Sequence, residues 1–414
     1  MLVNILLRGN FALGHNYIRF VSWIRHWTTF SPPEPPRMLM TCSVFSRPLS
    51  TKMGETLYSK GAGRVKFDTD EVSDEDTTYW AFSWTKLLTT VAALQVVERG
   101  QIALDDEVDS LLPELKNPDI LSEGAEGDLV LTPAANKITL RHLLTHQSGI
   151  VYDGRTPLLM KWRQSRGESA LSFSGDVIKA FSTPLVFEPG ESWAYGGGLD
   201  WAGVIIERLN HMKLGEYMQK NIFDPLGMRN TTFHLNARPE IKAKLMDTAM
   251  RTPEGKLVPT APWYPADAVT DAGGIGIVTS VADHAKVLAD LLKDNPTVLK
   301  RTSVDAMFTP QFSKTGPQAV GLMNMPFMHE NLTGGEKTLG KLSFGIGGLV
   351  TLDETPLLPR HTLSWGAMPG MAWFINREKG LAGAFGTQML PPGDKNVNSL
   401  IGEFLEEAMK MAKV

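Results

Sequence analysis

Apolar residues recur at helical spacing from Trp84 to Arg99, with Leu87, Leu88, Val91, Leu94 and Val97 in register and Gly100 as the stop. Alanines fill much of the remainder, so this predicted helix is apolar on most sides and belongs in the centre of a protein. Shorter patterns surround it. "GETLYSKGAGRV" (54–65) alternates and carries glycines, which predicts a β-hairpin. "TLRHLLTHQSGI" (139–150) predicts a short helix with Thr139 as N-cap, broken at Ser148–Gly149. Residues 187–209 read as a turn, a short extended piece, a glycine-rich bend and a helix. Residues 273–292 read as a strand or tight turn, a Ser280 cap and a helix. Extended runs are predicted around 343–352 and at 371–376 and 381–388, before a final helix over "IGEFLEEAMKMAK".

Strands near both ends with helices between them imply a sheet assembled from distant parts of the chain, and a mostly helical insertion. The fold class is therefore α/β (α+β). With 414 residues there is ample length for a large core. A net charge of −4 gives no reason to expect nucleic acid as a partner. The lone cysteine, Cys42, excludes an internal disulfide framework and a cysteine-zinc site. The first thirty residues carry Arg8, Arg19 and Arg25 among apolar residues, and no acid precedes Glu34. Such a start suits a mitochondrial transit segment, a surface-lying helix or a plain extension on a cytoplasmic protein, and it holds no membrane span. "SPPEPP" (31–36) is a stiff break. Residues 1–50 are thus set apart as an atypical extension. The expected domain runs over 51–414, with an α/β part at about 51–100 and 270–414 and a helical part at about 101–269.

Three constellations carry chemistry. Ser83 and Lys86 stand three apart at the mouth of the most buried helix, so the amine lies on the hydroxyl's face. Desolvation favours the neutral amine as a base, and helix N–H groups favour negative charge on the serine oxygen. Tyr195, followed by Gly196, Gly197 and Gly198, stands on backbone able to turn sharply. A phenol beside a lysine shuttles protons. For the oxyanion there are two competitors. Lys314-Thr315-Gly316 sits in "PQFSKTGPQ", whose prolines make a loop and not a central strand. Trp365-Gly366-Ala367 heads into a plausible strand, and its backbone N–H is the better partner for that of Ser83. His142 and His146 share a helix face, but the glutamate of a zinc-protease motif is missing, so they read as structural. Trp193, Trp263, Tyr264 and the methionines 323, 325 and 328 are candidates for lining an acceptor pocket.

Ser83-x-x-Lys86, "LRHLLTHQSG", Tyr195 after "FEPGESW", "GGIGIVTS" and Trp365-Gly366, in that order, resemble the serine β-lactamase-like superfamily. "TKLLTTVAALQVVERGQIALDDEVDSLLPEL" and "GLDWAGVIIER" are most similar to its class VIII esterase and acyltransferase branch, near the fungal lovastatin-type transesterases of polyketide pathways. The resemblance covers about residues 54–414. It implies a β-lactamase/transpeptidase-like fold, with an antiparallel sheet flanked by helices and an all-helical subdomain over the cleft. It also implies an acyl-enzyme on Ser83, Lys86 as base, Tyr195 in the relay, and no cofactor or metal. The expected partners are a small-molecule acyl donor and an alcohol acceptor, with an acyl-carrier domain of a polyketide synthase as a further donor. A carboxylesterase and a catalytically impaired scaffold homologue are the alternatives. Two positions depart from the superfamily pattern: Gly197 replaces an asparagine and Trp365 a lysine. Both changes favour ester over β-lactam substrates. Residues 1–50 do not resemble the usual first helix and strand, so the expectation is either an incomplete sheet or an unusual N-terminus.

Overall fold

The computed structural model describes residues 40–46, 55–325, 332 and 340–411. The arginine-bearing start, the proline break and Met328 lie outside the described residues. Seven strands make one sheet: β1 (Met40–Ser46), β2 (Glu55–Ala62), β3 (Leu342–Phe344), β4 (Leu349–Thr351), β5 (Thr362–Ala367), β6 (Met371–Asn376) and β7 (Leu381–Thr387). Their order across the sheet is β2-β1-β7-β6-β5-β4-β3, antiparallel at every step.

Two expectations change here. The sheet has its N-terminal strand, since β1 is inserted between β2 and β7 with Ser43 opposite both Ser59 and Ala384. Residues 54–65 are not a hairpin in themselves, because β2 is one straight strand whose hairpin partner is β1. The glycines that suggested a reversal serve other ends. A Cβ on Gly61 would stand 2.0 Å from the Ser73 carbonyl, and Gly63 takes φ +82° as the chain leaves the strand.

Five helices frame the site: α1 (Thr85–Glu98), α2 (Leu140–Leu144), α3 (Gly198–Asn210), α4 (Val281–Leu292) and α5 (Lys395–Met411). Thr139 and Ser280 cap α2 and α4 as expected, each accepting from the backbone N–H three residues on. Alternate residues of β7 face opposite ways. The position of a Cβ on Gly383 meets Phe404 of α5, and that on Gly386 meets Val281 of α4. The sheet therefore lies between α5 on one side and α4 with α1 on the other. Helix α1 is buried from Thr85 to Val96, which accounts for its unbroken apolar character. Beyond it, the middle of the chain is helical but carries two small hairpins that the sequence pattern hid, Asp119–Glu123 with Leu129–Pro133 and Ala249–Arg251 with Leu257–Pro259. No helix among the described residues is long and apolar enough to cross a membrane.

Candidate active site

Ser83 sits in a single 3-10 turn, Phe82–Trp84, that leads directly into α1. That turn is anchored on both sides. Strand Thr78–Trp80 pairs with Val278–Ser280, the Ala81 N–H donates to the Ile277 carbonyl at 2.9 Å, and the Gln388 amide bonds both the N–H and the C=O of Trp80. Phe82 is held at φ +42°, a strained value for a side chain with a Cβ. The bend delivers the serine to a cleft while Trp84 turns into the core.

The Tyr195 hydroxyl donates to Ser83 Oγ at 2.6 Å. Lys86 is almost wholly buried, and its Nζ donates to the Tyr152 hydroxyl at 3.0 Å and to the Gly274 carbonyl at 2.8 Å. The same Nζ stands 4.7 Å from the centroid of the Tyr195 ring. Ser83 and Lys86 thus share a face, but among the described residues the hydrogen bond to the serine comes from the phenol and not from the amine. Trp365 Nε1 donates to the Tyr195 oxygen from the other side at 3.3 Å. The position that resembles the superfamily's lysine therefore supplies an indole N–H to the site.

The glycines after Tyr195 serve contact, not a reversal. Gly197 has φ −78°, which any residue adopts. A Cβ would stand 2.0 Å from the Ile150 carbonyl at Gly196, 2.4 Å from the Phe181 ring at Gly197 and 2.3 Å from the Leu143 carbonyl at Gly198. No asparagine fits at Gly197 unless Phe181 moves. Behind Tyr195, the His146 ring lies tilted with its centroid 4.6 Å away, and its Nδ1 accepts from the Gly196 N–H at 3.4 Å. Burial, then the nearby Lys86 charge, hold His146 well below its ordinary value, so it is a neutral packing group. His142 closes the α2 cap by accepting from the Thr139 N–H.

A cleft opens above the serine. Ser83, Tyr195, Trp365, Gly366 and Ala367 all line it, so the structure brings these expected residues together. It adds Tyr152, Arg155, Phe173, Ile275 and Met368, none of which was singled out from the sequence. The expected acceptor pocket is corrected. Trp193 is buried behind Tyr195, Trp263 is exposed and reaches the cleft only through the edge of Phe173, and Tyr264 lines a separate small cavity. Met323 and Met325 are not among the lining residues. Lys314 lies in a loop with its ammonium 3.5 Å from Asp353, as its prolines required. Burial, then the Asp200 charge, push the Tyr152 phenol well above the ordinary range, so it stays a neutral acceptor for Lys86. Among the described residues no three histidine, cysteine, aspartate or glutamate side chains cluster to hold a metal.

The sequence matches the beta-lactamase family over residues 50–403. It is 36% identical to acyltransferase calJ of Penicillium decumbens, across 86% of this chain and 87% of that protein. It is 34% identical to the lovastatin esterase of Penicillium rubens, across 82% and 87% respectively. Among solved structures it is similar to simvastatin synthase from Aspergillus terreus, in its LovD6 mutant form. The TM-score is 0.78 at 32% identity, over 90% of this chain and 91% of that one. A match over most of the chain, joined to relatives of this kind, means that the protein belongs to the beta-lactamase family, among its serine acyltransferases and esterases.

Proposed function

We propose that the protein carries an acyl group on Ser83 and passes it to an alcohol acceptor in fungal polyketide metabolism. The observation that carries this reading is the 2.6 Å contact between Tyr195 and Ser83 at the floor of an open cleft, with the Lys86 nitrogen over the same phenol. In the reacting form Tyr195 is the phenolate, its negative charge stabilised by the positive charge on Lys86. As Ser83 Oγ attacks the acyl carbon, the serine proton passes to that phenolate oxygen. Backbone N–H groups of Ser83 and of the Ala367 end of β5 receive the oxyanion. Tyr195 then protonates the departing alkoxide or thiolate, leaving the ester on Ser83. An incoming alcohol gives its proton to Tyr195, attacks the ester carbon and frees the serine, which completes a ping-pong cycle. Lys86 acts here as the electrostatic partner of the proton carrier and not as the group in contact with the serine.

Transfer competes with hydrolysis, and the walls favour transfer. Phe173, Ile275, Trp365, Ala367 and Met368 give a surface suited to a bulky apolar acceptor, while Arg155 places one cation at the cleft. Relatives named as an acyltransferase and as an esterase support both arms of this chemistry. The donor is an ester or thioester of a small acyl group, free or on the acyl-carrier domain of a polyketide synthase. Intact-mass spectrometry of the protein with acyl N-acetylcysteamine thioesters tests this. An acyl adduct on Ser83 that discharges faster when alcohols are added is the expected result. Absence of any adduct on folded protein would sink the proposal and favour the scaffold alternative.

A further inference from the structure

Asp200 lies in the first turn of α3, five residues beyond Tyr195, and is completely buried. Its Oδ1 accepts from the Gly274 N–H at 2.8 Å, and the carbonyl of the same Gly274 accepts from Lys86 Nζ at 2.8 Å. One residue therefore links carboxylate to ammonium. Its lack of a side chain is required, because a Cβ on Gly274 would stand 2.3 Å from Asp200 Oδ2. That Oδ2 receives no hydrogen bond from any described residue. Asp200 also lines a small cavity with Ser172, Asp176, Phe181, Tyr264 and Ile275. Ile275 lines the active-site cleft as well, so the cavity backs directly onto the site.

Packing does not account for this arrangement. A fully buried carboxylate with one unbonded oxygen destabilises a fold unless an opposite charge offsets it. The groups facing Asp200 are Lys86 from α1, Tyr152 from the loop after α2, Tyr264 from the segment ahead of α4, and Asp176, which lines the same cavity. Lys86 is the cation among them.

We infer that Asp200 is a positioning residue of the acyl-transfer site, the buried counter-charge of Lys86 that, through Gly274, holds the ammonium over the Tyr195 ring. This rests on the reading of Lys86 as the cation of the site. Burial raises the Asp200 carboxyl to about 6, against the pull of Lys86 and of the Gly274 N–H. Protonation there removes the counter-charge, so activity falls as the pH drops through about 6. Charged Asp200 is also unfavourable for stability. The folded state gains from its protonated form at low pH, and that gain is lost as the pH rises through 6.

Asp200→Asn preserves the shape and the acceptor for Gly274 while abolishing the charge. With p-nitrophenyl butyrate as probe, kcat at pH 7.5 falls roughly 10- to 100-fold with little change in KM. The acid limb near pH 6 disappears, and the thermal midpoint at pH 7.5 stays level or rises. Gly274→Ala, which displaces the same carboxylate, lowers kcat similarly. Wild-type kcat with an unmoved acid limb in Asp200→Asn would overturn the inference. So would a parallel fall in kcat and thermal midpoint with the limb retained, which marks a purely structural residue. Failure of the underlying reading looks different: Lys86→Met would then keep wild-type kcat on the same probe.

Discussion

Ser83 and Trp84 are neighbours in sequence, yet they open onto two buried polar clusters of opposite kind. On the Ser83 side, hydrogen bonds from distant elements join Tyr195 to Ser83 and Trp365, and Lys86 to Tyr152 and Gly274; the Lys86 ammonium over the Tyr195 ring connects the two sets, and the cluster opens to a cleft. On the Trp84 side, its ring stacks on His284 at 4.2 Å with Trp373 beyond. There Trp84 Nε1, both His284 nitrogens and Trp373 Nε1 find no hydrogen-bond partner among the described residues. Burial alone pulls His284 down to about 3, so it behaves as a flat aromatic filler. Polar atoms in a core do not by themselves mark a site. Links between elements, and access to solvent, do.

The largest effects separate the two clusters outright. Ser83→Ala should cost at least about 10³-fold in acyl transfer, and Tyr195→Phe roughly 10²- to 10⁴-fold in kcat, both read in steady-state assays. His284→Phe should leave kcat/KM within about twofold, and a comparable loss would erase the distinction between the clusters. Gly197→Asn comes next. It drives a side chain into Phe181 beneath Tyr195 and should lower the unfolding free energy by about 1–3 kcal/mol in a urea titration.

The His284 side has a signature of its own in pH. The imidazole titrates at 6.5 when exposed but is held neutral to about 3 in the fold. Stability present above pH 6.5 therefore drains away as the pH falls toward 3. Between pH 7.5 and pH 5 the loss is about 2 kcal/mol, and His284→Phe should abolish that portion in paired urea titrations. The smallest change is Trp365→Phe, which keeps a ring but removes the N–H bonded to the Tyr195 oxygen. It should lower kcat/KM about fivefold, in line with one hydrogen bond of about 1 kcal/mol.

Much of the first cluster was legible because its signals are local. Ser83 and Lys86 are three apart, on the turn that leads into α1 and in its first turn, and the packing of α1 is written in its apolar spacing. Tyr195 announced itself beside three glycines, although the physical reason is close approach to Ile150, Phe181 and Leu143. The cleft walls were not legible. Tyr152, Arg155 and Phe173 sit in or after irregular loops, and only long-range packing brings them over the serine. A signal for Tyr152 existed, since it stands three residues past Gly149, where the chain must re-enter the core. Trp193 and Tyr264 had suitable chemistry, but burial turned them away from the cleft. Of the two partners of β1, β2 follows it directly, but β7 is some 340 positions away, beyond the reach of any periodicity.

That distant pairing sets a timetable for the newborn chain. Ser43 meets Ala384 only after nearly the whole polypeptide has left the ribosome, and the indole of Trp365 reaches Tyr195 only when β5 has joined the same sheet. Closing so long a loop is slow. An unfinished chain thus carries its serine before the strand that walls the cleft opposite has been made.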